Sequence, residues 1–341
     1  MKKILLTGLI LFLLTNTNIF AMQSHDGPLV DEADFFGFNI TIEPSFGYLL
    51  GQAREIVYVH SLSSTYLSEL IWELKNILYS GASGSINIRN RLYINIGFWT
   101  AVYGGNGEMM DFDWIYTDSS GNPTNYPEND GYERFDWTHW SLSSVKIVDS
   151  YIFDTNISYD FLSNREFKFS VIGGYKSLYW DWTDSVLDSL YPSGPDVLVV
   201  GSDAIDYKLG LDIFYLGLGG AVYSHGFIFD GKIIYSPIVF GGDHDHHIQR
   251  DTFPDGSPTY GGIHFYDKII FGQYAAFSIK IGYAFSKHFA LSTQVSGEYL
   301  FEKRGDTYVY DNLDTYKGKD AGGAGIQYQS ISFSINAAVS F

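Results

Sequence analysis

The sequence predicts an all-β fold, a ten-stranded antiparallel transmembrane β-barrel with short periplasmic turns and long extracellular loops. Composition is the first ground. Of 341 residues, 18% are aromatic, with 27 Tyr and 26 Phe, and 36 Gly outnumber 9 Pro. A helical bundle would use more Ala, Leu, Glu and Lys, whereas this mixture suits strands joined by Gly-containing turns. The second ground is period-2 alternation. Ile331, Phe333, Ile335, Ala337, Val339 and Phe341 alternate with Ser332, Ser334, Asn336, Ala338 and Ser340. Phe277 to Phe285, Leu291 to Phe301 and Tyr151 to Phe161 repeat the pattern. Successive strand side chains point to opposite faces, so each segment has one apolar and one polar face. A soluble sandwich turns the apolar face inward and a membrane barrel turns it outward. Segments of 15 to 20 residues, Tyr and Phe near their ends, and a last strand closing on Phe341 favour the barrel.

Taken in order, the chain opens with an export signal. Lys2 and Lys3 precede the apolar run Ile4 to Leu14, and cleavage is expected after Ala21. Residues 22–341 then form one barrel domain. No later stretch approaches the ~18 apolar residues a spanning helix needs. Ten strand segments follow, at 35–50, 65–80, 85–104, 146–162, 166–182, 205–223, 227–246, 263–285, 290–304 and 326–341. Short turns are expected at Gly81–Gly84, Ser163–Glu166, Ser224–Gly226 and Ser286–His288. Long connections are expected at 51–64, 105–145, 183–204, 247–262 and 305–325. Short turns at one end and long loops at the other is the outer-membrane arrangement. Crossing a bilayer takes only ~9–11 residues per strand, so the surplus raises the barrel above the membrane.

Charge narrows the partners. The chain has 21 basic and 39 acidic side chains, a net charge of −18. Nucleic-acid binding needs the opposite sign, whereas cationic peptides would be attracted. With no Cys, a disulfide framework, a thiolate metal site and a Cys nucleophile are excluded.

Two acidic clusters lie at the loop ends of strands: Glu108-Met109-Met110-Asp111-Phe112-Asp113-Trp114 and Gly241-Gly242-Asp243-His244-Asp245-His246-His247. In extended chain Asp111 and Asp113 share a face. Asp243, Asp245 and His247 share another, with His244 and His246 opposite. A carboxylate beside an imidazole fixes its tautomer, as in a general base. Side-by-side carboxylates resist joint ionisation and can hold a water. An Asp-x-Asp pair alone is usually solvated surface. The second cluster alone suits a zinc or calcium ligand set as well as catalysis. Ser141 lacks the Gly-x-Ser-x-Gly setting of a nucleophile. Without the paired clusters, a catalytically inactive barrel acting as adhesin or pore would explain the alternation equally well.

Together the two clusters resemble the omptins, outer-membrane aspartate/histidine endoproteases built as ten-stranded barrels. Asp111 and Asp113 look like the family's Asp-x-Asp pair, and Asp245 and His247 like the Asp-x-His pair facing it. Gly51-Gln52-Ala53-Arg54-Glu55-Ile56-Val57-Tyr58 is similar to the first outer segment, and Gly323-Ala324-Gly325-Ile326 to the approach to the last strand. The resemblance implies an endopeptidase with a water nucleophile, catalytic Asp111, Asp113, Asp245 and His247, and neither metal nor cofactor. It further implies polypeptide substrates with Arg or Lys before the scissile bond, held by Glu55 and Asp243, with Met109 and His139 also contacting substrate. A second basic residue after the bond is normally met by an Asp. His139 stands there, so that demand is expected to relax. A monomer in the outer membrane is expected, with no nucleic-acid partner. Omptins commonly need lipopolysaccharide, held by basic residues on the outer face. Here Tyr175 fits, but Ser177 and Tyr179 replace a Glu and an Arg, and Gly210 a second Arg. Unless Lys176 or Lys268 compensates, that lipid site is lost.

Overall fold

The computed structural model describes residues 38–58, 66–114, 116–117, 123–124, 137–190, 198–253 and 257–341. The expected export signal, 1–21, lies outside them. The alternating segments form β1 (Phe38–Tyr58), β2 (Tyr66–Ile88), β3 (Leu92–Tyr103), β4 (Gly107–Asp113), β5 (Tyr116–Thr117), β6 (Pro123–Thr124) and β7 (His139–Ser163). Then come β8 (Phe167–Leu190), β9 (Ile205–Ser224), β10 (Phe227–His247), β11 (Ile263–Ser286), β12 (Phe289–Asp311) and β13 (Tyr316–Ser340). Apart from the small β5–β6 hairpin, every strand pairs antiparallel with its neighbours, and β1 pairs with both β2 and β13, closing the sheet. β3 and β4 share one position between β2 and β7. β3 pairs with β2 over Leu78–Ile88, and β4 pairs with it over Ser68–Trp72. The break is a bulge: Asn76 (φ 58°) and Gly105 (φ 72°) leave the strand conformation, and Asn76 Nδ2 donates to Asn106 Oδ1 at 2.6 Å. Counting β3 and β4 as one interrupted strand, the ring has the expected ten among the described residues.

The outer face settles which way the apolar side points. Leu216 is 71% exposed and Ile335 65%, within a band that includes Phe46, Ile96, Ile157, Ile233 and Ile279. A soluble sandwich would bury these residues; a barrel in lipid displays them. On β10 and β11 the band ends at Phe240, Ile270 and Phe271, and above it Lys208, Lys268 and Lys319 take over the outer face. The 24 residues of β11 are more than twice what a bilayer crossing needs. The upper part of the wall therefore stands in water.

That overhang corrects several loop boundaries. Strand continues where loops were expected: through 51–58 in β1, to Leu190 in β8, and through most of 305–325, where β12 and β13 meet at a tight turn. Above the lipid the outward side chains are Asp306, Tyr308 and Lys319 rather than apolar ones. The period-2 signal fades there although the ladder goes on. The turn expected at Gly81–Gly84 is also wrong, because these residues lie inside β2. A Cβ at Gly81 or Gly97 would collide with the Trp99 indole, which lies inside the barrel and donates to Ser45 Oγ at 2.7 Å. The glycines make room for that ring. The turn itself is Arg89-Asn90-Arg91, between paired Ile88 and Leu92, with Arg89 and Asn90 at positive φ (53° and 56°). The turns at 163–166, 224–226 and 286–288 stand where expected.

Inside, the barrel has two compartments. The lower one is a polar lumen of about 420 Å³ crossed by ion pairs, Lys280 to Glu43 at 2.6 Å and Lys176 to Glu298. Above it lies an apolar plug built from nearly every strand of the ring. Trp72, Trp180, Trp182 and Tyr207 are at most 1% exposed, and Trp72 stacks on Tyr207 at 4.8 Å. The plug is the floor on which the acidic residues stand.

Candidate active site

The site is assembled at the loop end from strands far apart in sequence. Period 2 puts Asp243, Asp245 and His247 on the inner face of β10, and His244 and His246 outside. The register pairs Asp243 with Asp267 of β11, and Asp245 with Tyr207 of β9. His247 Nε2 and Asp245 Oδ2 are hydrogen-bonded at 2.6 Å, with Asp245 1% exposed and the imidazole edge-on to Phe265. A buried carboxylate on one ring nitrogen fixes the tautomer and leaves Nδ1 as the nitrogen able to accept a proton. Tyr207 Oη donates to Asp243 Oδ2 at 3.0 Å.

On the other wall, β4 points Met109, Asp111 and Asp113 inward. Asp111 is buried and accepts from Ser68 Oγ at 3.3 Å. Asp113 lies two residues higher, opposite His139 and Ser68 in the ladders. The two walls meet at a cavity of about 30 Å³ lined by Asp111, His247 and Arg250 among others. That volume matches about one water molecule, and its lining supplies polar partners. Glu55, on the inner face of β1, is 2% exposed. Burial pushes its carboxyl well above the usual range, reinforced by Asp245, Asp243, Asp267 and Asp111. Asp243 is driven up by burial and then by Asp267. Asp267 is pushed up to about 7, again mainly by burial.

Six of the eight residues singled out from sequence thus face one cleft: Glu55, Asp111, Asp113, Asp243, Asp245 and His247. Met109 is fully buried in the plug, so it shapes the floor. His139 is not in a loop, and neither is Ser141; both begin β7 on its inner face. His139 is 9% exposed, its Nδ1 2.9 Å from Thr138 Oγ1. Asp267 and Arg250 escaped the sequence reading. For Asp267 a signal existed: an acid in the inward phase of Ile263, Phe265 and Ile269.

The histidines on the outer face stay apart from the cleft. His244 Nε2 and His264 Nδ1 are 2.9 Å apart, and His246 stacks on His264 at 3.9 Å. Burial and the neighbouring His264 lower His244 to about 4 and draw His246 down as well. Among the described residues no group of three or more His, Asp or Glu is arranged to hold a metal ion.

The omptin family model matches residues 37–341. Outer membrane protease OmpP of Escherichia coli is 25% identical over 334 residues, covering 94% of this chain and 95% of the relative. Outer membrane protease IcsP of Shigella flexneri is 24% identical, covering 90% of this chain and 91% of its own. The crystal structure of outer membrane protease OmpT from Escherichia coli superposes with a TM-score of 0.74 at 24% identity, over 89% of this chain and 97% of that one.

Proposed function

The chain belongs to the omptin family and is an outer-membrane protease; we propose that it cuts polypeptides next to Arg or Lys, using a water activated by His247 and Asp245. One observation carries the reading: Asp111 and His247, from opposite walls, line a single water-sized cavity. In this mechanism Asp111 and Asp113 position the water while His247 Nδ1 removes its proton. Asp245, hydrogen-bonded at Nε2, stabilises the imidazolium that forms. Arg250 borders the cavity and brings positive charge to the oxyanion of the tetrahedral intermediate. No covalent intermediate is needed. The adhesin reading leaves the buried Asp245–His247 pair without a task, and the apolar plug argues against a pore.

The basic side chain before the bond enters between Glu55 and Asp243. His139 lies beside Asp113 and offers no negative charge to a residue after the bond, so that position is expected to be tolerant. Sequencing the cut sites in a mixed peptide library, with EDTA present, tests all of this. Cuts after Arg or Lys with varied residues following are expected, with no loss of rate to the chelator. Cuts after acidic or apolar residues would overturn the pocket. Chelator-sensitive activity restored by zinc would overturn the metal-free mechanism.

A second expectation concerns lipid. Lys176 cannot compensate on the outer face, because it points into the lumen and pairs with Glu298. Lys268 is on β11, beyond β10 from the β8–β9 face, and lies 5.0 Å from the Tyr308 ring. The face where lipopolysaccharide would sit is short of Arg and carries three carboxylates, and its Lys208 is paired with Asp181 at 3.9 Å. Tyr175 donates to Asp212, Tyr179 donates to Asp181 at 3.1 Å, and Asp149 is exposed nearby. Such carboxylates repel phosphate. Refolded protein free of lipopolysaccharide should therefore cleave peptide at a rate the lipid does not change. Protein inert until the lipid is added would contradict this.

A further inference from the structure

We infer that Asp267 is a third carboxylate of the basic-residue pocket and biases that pocket toward a guanidinium over an ammonium group. The inference rests on the pocket reading above. Asp267 lies directly opposite Asp243 in the β10–β11 ladder, and both point inward at 3% and 6% exposure. Directly opposed strand residues hold their Cβ atoms ~5 Å apart, and like charges so placed repel. Among the described residues, no basic group is among the leading influences on either carboxyl. The ionisable groups acting on this cluster are Glu55 on β1, Asp111 on β4, Tyr207 on β9, Asp245 on β10 and Asp320 on β13. Thr307 donates a hydrogen bond to Asp267.

The acceptors themselves point to the missing ligand. Glu55 Oε2, Asp243 Oδ1 and Asp267 Oδ1 are buried with no hydrogen-bond donor among the described residues. A buried acceptor left unpaired costs its full desolvation penalty, so a donor-rich cation entering here satisfies several groups at once. A guanidinium carries five N–H donors in a planar fork; an ammonium carries three on one atom. Carboxylates on three strands, β1, β10 and β11, suit the fork. Two carboxylates are enough for an ammonium.

The pH behaviour follows from the same placement. The raised pKa of Asp267 means the substrate-free barrel holds it protonated more readily than the unfolded chain does. Its contribution to stability is full below the unfolded value near 3.8 and is lost as pH rises through about 7. Asp267→Asn removes the repulsion, so the variant should melt no lower than wild type at pH 8.

The test is kcat/KM on two peptides that differ only in Arg or Lys before the bond, for wild type, Asp267→Asn and Asp267→Glu. Losing a charged hydrogen-bond partner should cut the Arg-to-Lys ratio at least about tenfold in the Asn variant. The Glu variant should recover part of it. An unchanged ratio in the Asn variant would overturn the role of Asp267. So would equal losses on both peptides together with a lower melting temperature, which would mark a structural residue. If wild type cleaves neither peptide but cuts elsewhere, the pocket reading fails first.

Discussion

Replacing His247 by Ala, or Asp113 by Asn, should lower kcat by at least ~10²–10⁴-fold, the usual contribution of a positioned general base. Both residues lie on strand ends above the apolar band, and neither belongs to the plug that packs the barrel. The variants should therefore fold, as heat-modifiable mobility in detergent gels would show. His247→Ala leaves Asp245 buried without its partner, and Asp245 Oδ1 already lacks one. Some loss of stability is expected there, though the remaining ladder around β10 keeps its bonds to β9 and β11. Steady-state hydrolysis of an Arg peptide checks the result. Wild-type rates in both variants would remove His247 and Asp113 from the mechanism.

Asp243→Asn should have the next largest effect, and it should fall on substrate rather than on chemistry. Truncating one partner of a buried charged contact costs about 2–5 kcal/mol, so kcat/KM for an Arg peptide should drop roughly 30-fold or more. Asn can still accept from Tyr207 Oη, and the change removes repulsion from Asp267, so the fold should be undisturbed. Peptide cleaved without a basic residue, where any is detected, should be affected much less. The net charge of −18 adds long-range attraction for basic peptides. This part of the rate should fall with salt in wild type and variant alike. Equal losses on basic and neutral peptides would assign Asp243 to structure instead.

The sequence revealed the fold best where lipid faces the wall. From Phe277 to Phe285 and from Ile331 to Phe341, outward apolar residues alternate with inward polar ones, and β11 and β13 cover both runs. Where the wall rises into water, as at Asp306 and Lys319, the outward residues become polar and strand passes for loop. Gly81 was misread for a different reason: a glycine that gives way to an indole across the barrel looks like a glycine that turns the chain. In the cleft, the two short motifs could be read because each lies on one strand, where spacing alone decides the face. Arg250 could not, and Asp267 showed only its inward phase, since their nearness to Asp111 and Asp243 arises only from ladder register and closure of the ring. His139 was misplaced because the strand of which it is the first residue begins earlier than its alternation becomes visible.

The central claim is that the β4 pair Asp111 and Asp113 and, on the opposite wall, His247 act on one water. The kcat of the Asp113→Asn/His247→Ala double variant, measured beside both single variants, tests it most directly. Residues that act as one unit are far from additive, so the double variant should be within a few-fold of the slower single variant. A double variant slowed by the full product of the two single effects would show that they act independently, and would contradict the account.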